Sequence, residues 1–283
     1  MNITPFRALA CPLDGAPLCC TGTTWRCSRG HSFDIASQGY THLLPVQKKR
    51  SRDPGDSRQM VAARRRFLNA GFYQAIATAT SEAILADLPP RGTVSCLDAG
   101  CGEGYYLRQL AAANSDGKTL TLLGLDISKW AVLSAAKQDR LPNWVVGSNA
   151  NLPVQSGTLD RVLCLFGFPV YAEFNRVLKP DGQLLQLDAG PDHLRELREI
   201  IYPSLKPERA ADVREPQGFT CLSTETVCYT LQLIGLEPIA DLLAMTPHLY
   251  RATDERRAQA AKLSALKVTV EVRMTRFGRH AFR

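Results

Sequence analysis

Short apolar runs alternate with amphipathic stretches from about residue 93 onward, and this alternation organises most of the chain. "TVSCLDAG" reads as a buried strand and "YYLRQLAAA" as a helix. "TLTLLGLD" is the next strand, "SKWAVLSAAKQ" the next helix, and "NWVVG" a short strand. "LDRVLCLFGF" follows as a strand, "VYAEFNRVL" as a helix and "GQLLQLDAG" as a strand, with a helix over His193 to Tyr202. Strand and helix repeated in this way predict an α/β fold, a parallel sheet covered on both faces. The later runs "ETVCYTLQL" and "KVTVEVRMTRF" read as two final strands that can pair antiparallel.

The first 40 or so residues follow a different pattern, rich in cysteine, with strand-like pieces and turns. A Pro-, Lys- and Arg-rich connector comes next. A helix is expected to start at Asp56 or Ser57, either of which can cap it. Met60, Val61, Phe67 and Leu68 form its apolar side, Arg58, Arg65 and Arg66 its outer side, and Gly71 its stop. A second helix runs from Tyr73 to Leu88, ending at Pro89-Pro90. The organisation expected is a small domain over 1–42, a basic connector and helix over 43–72, and the α/β domain over 73–283.

Composition narrows the setting. The 283 residues contain no apolar run long enough to span a bilayer, and "MNITPFRALACP" lacks the features of a signal peptide. A cytoplasmic protein without membrane association is therefore expected, its nine cysteines serving as thiols or metal ligands. The net charge of +7 is uneven, with "KKRSRDPGDSR" and "ARRR" close together. Such a run alone is most often a solvated linker, but it also suits an anionic partner such as RNA.

The sharpest motif is "LDAGCGEGYY", between the first strand of the sheet and its helix, where open α/β sheets bind ligands. Gly100, Gly102 and Gly104 are spaced G-x-G-x-G, unlike the G-x-G-x-x-G of a dinucleotide fold. Asp98 beside the loop suits a cationic ligand better than a pyrophosphate. Asp126, ending the next strand, can accept ribose hydroxyls. Together these features resemble the class I (Rossmann-like) S-adenosylmethionine-dependent methyltransferases. The resemblance implies a third contact, to adenine, for which Asn149 is favoured over Ser148 and Asn151; a plain capped turn is the alternative. At the fourth strand, "CLFGFP" borders the methyl in that fold. Phe166 and Phe168 can stack on a base there, or be simple core. Asp188 and His193, after the fifth strand, are the candidates for handling a proton, although His193 also fits a hydrogen bond at a helix start.

The connector narrows the resemblance further. "FDIASQGYTHLLPVQKKRSRDPGDSRQMVAARRRFLNAGFY", followed by "LDAGCGEGYY", is similar to the RlmA-type methyltransferases, as are "GLDIS", "RVLKPDG", "GPDHL" and "AMTPHLYRA". "KRSRDPGDS" and "MTP" are the distinctive pieces, whereas the glycine loop is common to the superfamily. The resemblance implies methylation of N1 of a guanine in a 23S rRNA hairpin near the peptide exit tunnel. It also implies a homodimer and an N-terminal zinc ribbon that helps grip RNA. The ribbon's ligand positions fall on Cys11, Asp14, Cys27 and His31, with Asp14 where the family carries cysteine. Three outcomes stay open: an Asp14 oxygen closes a tetrahedral zinc site, Cys19 or Cys20 swings in, or the ribbon folds without metal. Other functions compatible with the chain are a small-molecule methyltransferase and a non-catalytic RNA-binding relative.

Overall fold

A computed structural model describes residues 2–48, 51–88, 92–114, 118–204, 215–246, 253–260 and 262–280. The expected helix stop at Pro89-Pro90, part of the basic run (Lys49 and Arg50) and most of "AMTPHLYRA" lie outside the described residues.

The N-terminal region holds β1 (Asn2–Thr4), β2 (Cys19–Thr21), β3 (Thr24–Arg26), β4 (Ser32–Asp34) and β5 (Tyr40–His42). Strands β2, β3 and β4 form a small antiparallel sheet. Helix α1 (Arg58–Asn69) starts where its cap predicts, with the Ser57 hydroxyl accepting from the Met60 N–H. Val61, Phe67 and Leu68 are buried, and Arg58, Arg65 and Arg66 face outward. Helix α2 (Gln74–Leu85) follows after Gly71, which sits in the left-handed region at φ +83°.

The alternating part of the chain folds as its pattern predicts. It gives β6 (Thr93–Ala99), α3 (Tyr105–Ala113), β7 (Thr119–Asp126), α4 (Lys129–Gln138), β8 (Asn143–Val146), β9 (Leu159–Leu165), α5 (Tyr171–Val177), β10 (Leu178–Ala189) and α6 (Arg195–Ile201). Strands β8, β7, β6, β9 and β10 are parallel neighbours in that order. The sheet is completed by β11 (Phe219–Ile234) and β12 (Ala265–Arg279), with β12 antiparallel to both β10 and β11.

Two helices between these last strands, α7 (Leu236–Met245) and α8 (Asp254–Ala260), were not expected from the pattern. Pro238 lies in the first turn of α7, where a proline removes no helical hydrogen bond. Helix α7 buries Ile239, Leu242 and Leu243 and also Asp241, which forms a two-pronged pair with Arg66 of α1.

The N-terminal region is built into the main sheet. β1 pairs with β7, Asn2 opposite Thr119, and β5 pairs with the outer edge of β8. Leu9 forms a bridge with Val154. Phe6, Leu9, Leu18, Trp25 and Leu43 share one apolar core with Leu97, Leu123, Val145 and Phe174. The opposite face of the sheet packs on α2, α3, α4, α6 and α7.

Because this core is shared, Leu9→Ala should destabilise the N-terminal region and the sheet together, by about 2–5 kcal/mol. Urea unfolding followed by tryptophan fluorescence and by circular dichroism should show one coincident, shifted transition. An early separate transition would mean that the two parts are energetically independent.

Candidate functional site

The glycine loop is drawn down onto β7 by its own backbone. The N–H groups of Gly100 and Cys101 both donate to the Leu125 carbonyl, at 2.8 and 2.9 Å. The Gly102 N–H donates to Asp126 Oδ2 at 2.9 Å, and the Ser128 N–H to Asp126 Oδ1 at 2.7 Å. Gly100, Gly102 and Gly104 all have positive φ, which leaves glycine as the residue that fits without strain. At Gly104 space is also limiting, since a Cβ would meet the buried Trp144 ring at 2.5 Å.

Asp98 stands at the end of β6 beside this loop. It is 1% exposed, and neither carboxylate oxygen has a hydrogen-bond partner among the described residues. Burial, with Asp126 nearby, pushes its pKa up to about 8. Burial likewise raises Asp126, against the two backbone N–H groups that hold its charged form. Each Asp126 oxygen keeps a further lone pair, so the carboxylate can still accept from a ligand. Asn149 reaches the same loop: its Nδ2 donates to the carbonyls of Ala99 at 3.2 Å and Phe168 at 3.4 Å, while its Oδ1 is buried without a partner. Asn151 is turned instead toward the Pro12 carbonyl, and Ser148 accepts from the Ala150 N–H.

The end of β9 forms an aromatic lip. Phe166 has φ +53°, a strained value for a residue with a side chain, and is 40% exposed; Phe168 is 90% exposed. The Phe166 ring lies 5.8 Å from His193 and 6.4 Å from Tyr73. His193 is buried; its Nδ1 accepts from the Glu271 N–H at 3.3 Å, and its Nε2 faces the Tyr73 hydroxyl at 3.5 Å. Asp188 is half-buried on β10 and accepts from Gln186 at 2.8 Å. The Phe166 N–H bonds to the neighbouring Leu187 carbonyl, which sets Asp188 close to the base of the lip in the ladder.

Tyr73 and Tyr106 did not stand out in the sequence, because an aromatic on an apolar helix face reads as core. The Tyr106 hydroxyl is buried without a partner, and burial pushes its pKa well up. Asp98, Asn149 and Tyr106 are thus three polar groups whose buried atoms lack a partner within the described protein. A ligand with a cationic end and hydrogen-bonding edges fits such a set.

A second cluster lies in the N-terminal region. The ligand atoms of Cys11, Asp14, Cys27 and His31 all fall within 4.8 Å of one another. His31 Nδ1 is 3.0 Å from Asp14 Oδ2, 3.4 Å from Cys27 Sγ and 3.5 Å from Cys11 Sγ. The other Asp14 oxygen accepts the Ala16 N–H at 2.9 Å, an interaction that leads in holding the Asp14 pKa down to about 2. One oxygen is therefore free to face the cluster as a single anionic donor. The spacings suit four donors around one tetrahedral ion. Cys19 and Cys20 lie on β2 outside the cluster, and the Cys20 thiol points at the Gly22 carbonyl. The structure therefore does not support either of them as the replacement thiolate.

Among the described residues, no helix is long and apolar enough to cross a membrane.

Comparison with known proteins covers both regions of the chain. Residues 9–52 match the family described as "RlmA, N-terminal", a zinc-ribbon model, and residues 97–186 match the family described as "Methyltransferase domain". A 23S rRNA (guanine(748)-N(1))-methyltransferase of Streptomyces fradiae is 31% identical, covering 97% of this chain and 98% of its own length. A protein of Bacillus subtilis named as a proposed 23S rRNA (guanine-N(1)-)-methyltransferase is 30% identical over 94% of this chain and 95% of its own length. A protein so named from Micromonospora griseorubida is 35% identical over 95% and 96%. The likeness runs through ribbon, connector and sheet alike, and the chain belongs to the RlmA family of 23S rRNA (guanine-N1)-methyltransferases.

Proposed function

We propose that this protein methylates N1 of a guanine in a 23S rRNA hairpin near the peptide exit tunnel, acting as a cytoplasmic homodimer. The observation that carries the reading is the buried, unpartnered Asp98 carboxylate at the glycine loop of a chain that resembles a 23S rRNA (guanine-N1)-methyltransferase over 97% of its length. When bound, S-adenosylmethionine supplies an electrophilic methyl group on a sulfonium. Asp98 would face the cationic end of the cofactor, Asp126 would accept from its ribose, and the unpartnered Oδ1 of Asn149 would accept from its adenine amino group.

The residues of the lip hold the base. A guanine must leave its stack to reach this site, and Phe168, 90% exposed, offers a face for it. Phe166 closes the other side, its strained backbone fixed by the bond to Leu187. N1 of guanine carries a proton that must depart as the methyl arrives. Asp188 takes it. His193 is unsuited to accept because its Nδ1 lone pair already holds the Glu271 N–H; it positions the Phe166 and Tyr73 rings. Cys11, Asp14, Cys27 and His31 would hold zinc, which would cross-link two turns of the ribbon.

The reading is tested by incubating the protein with labelled S-adenosylmethionine and 23S rRNA from a strain lacking the modification. The label should map to one guanine where reverse transcription stops, since an N1 methyl blocks the pairing edge. Unlabelled rRNA would refute it. Light scattering should give the mass of two chains.

Asp98 makes cofactor binding dependent on pH. Its raised pKa of about 8 keeps it protonated at pH 7 in the free protein, and a cationic ligand favours the carboxylate. Binding should therefore release a proton at pH 7, and affinity should climb with pH and level off above about 8. Calorimetry in buffers of different ionisation enthalpy reads this directly, and Asp98→Asn should bind more weakly with a flat profile.

Asp188→Asn should slow single-turnover methylation by roughly 10²–10⁴-fold and leave S-adenosylhomocysteine affinity unchanged. An undiminished rate would remove Asp188 from proton transfer. Elemental analysis should find one zinc per chain, lost in Asp14→Ala and retained more firmly against chelator in Asp14→Cys, because thiolate is the softer ligand.

A further inference from the structure

Asp56, in the distinctive "RDPGDS" of the connector, and Met245, near the end of the chain, meet at one side chain that neither the glycine loop nor the ribbon explains. Arg64 of α1 pairs with Asp56 of the connector through Nη1 and donates through Nη2 to the Met245 carbonyl at 3.1 Å. It also lies over the glycine loop. A Cβ placed on Gly102 would be 3.6 Å from Arg64 Nη1 and 3.8 Å from its Cδ. Arg64 is close enough to Asp126 to oppose the rise in that group's pKa.

The connector is seated firmly against the same corner. A Cβ on Gly55 would meet Ile127 Cγ2 at 2.8 Å and Ser128 Cβ at 2.9 Å. The Ser128 hydroxyl donates to the Asp56 carbonyl at 2.7 Å, while its N–H holds Asp126. Helix α1 is fixed from its other end by the Arg66 pair with Asp241. Arg64 is thus held by three segments of chain with its guanidinium at the loop, about a quarter exposed.

The cofactor presents a chemical problem at this place. Its amino-acid end carries a carboxylate as well as a cation, and Asp98 and Asp126 would repel that carboxylate. A cation must face it. Arg108, the basic residue of α3, is committed to Glu103 by both carboxylate oxygens and by the Glu103 carbonyl. Arg64 spends one N–H on Asp56 and one on Met245, and a guanidinium has five.

We propose that Arg64 binds the carboxylate of the cofactor's amino-acid end, which makes the connector and α7 part of the cofactor site. The inference rests on the cofactor reading above and is tested separately from it. Calorimetry compares S-adenosylhomocysteine with its decarboxylated analogue on the full chain, on Arg64→Ala and on Arg64→Gln, which keeps a donor for Met245. Both variants should bind S-adenosylhomocysteine about tenfold or more weaker and bind the decarboxylated analogue within about twofold of the unaltered chain. Equal weakening of both ligands, or of neither, overturns the assignment and leaves Arg64 a brace of the fold. Absence of S-adenosylhomocysteine binding by the unaltered chain overturns the cofactor reading itself, and this assignment with it.

Discussion

The cofactor end of the sheet depends on how close the backbone of the glycine loop comes to β7. Four hydrogen bonds converge there, from Gly100 and Cys101 to Leu125 and from Gly102 and Ser128 to Asp126. Trp144 sets the floor of that approach, with Gly104 and Gly124 both lying against its ring. A larger residue at Gly104 would lift the loop, and Asp126 would lose one of the donors that favour its charged form. Asp98 lies fully buried beside the same loop with no partner among the described residues, so its charged form is costly until a partner arrives. The cost of that burial becomes selectivity for a ligand that brings positive charge.

The ribbon is held in a different way from a free-standing zinc module. Its core is continuous with one face of the sheet through Phe6, Leu9, Trp25 and Leu43, and it contributes β1 and β5 to the sheet. This reduces the burden on any metal as the source of its stability, since a domain this small has little core of its own. An oxygen donor at Asp14, harder and weaker than a thiolate, is tolerable in such a setting. The Ala16 N–H that fixes the carboxylate is part of the same turn, so the donor is oriented before any ion arrives.

Much of this was legible in the sequence. Strand and helix periodicity located β6 to β10 and the helices between them, because the strands β6 to β9 are mostly buried and the helices carry buried apolar residues. Asp98 and the three glycines announced themselves by type and spacing. Asp14 was legible only through resemblance to the ribbon, and the structure then brought its oxygen into the cluster. What stayed hidden was set by contacts distant in sequence. Arg64 reads as one more charge in a basic helix until Met245 and Gly102 are beside it. Tyr106 reads as core until its hydroxyl is found unpartnered. Helix α7 packs its buried Ile239, Leu242 and Asp241 against distant parts of the chain, and Pro238 is harmless in its first turn.

The pairing of Asn2 with Thr119 and of Leu9 with Val154 also bears on synthesis. The ribosome makes the ribbon before any of the strands that β1 and β5 pair with. These are contacts of long sequence separation, slow to form because the loop they close is large. Until β7, which ends at Asp126, has followed β5, which ends at His42, the ribbon has only its own small sheet and its four clustered donors to hold it. The cluster would then matter most to the newborn chain, keeping an early segment in order until the sheet that receives it has been made.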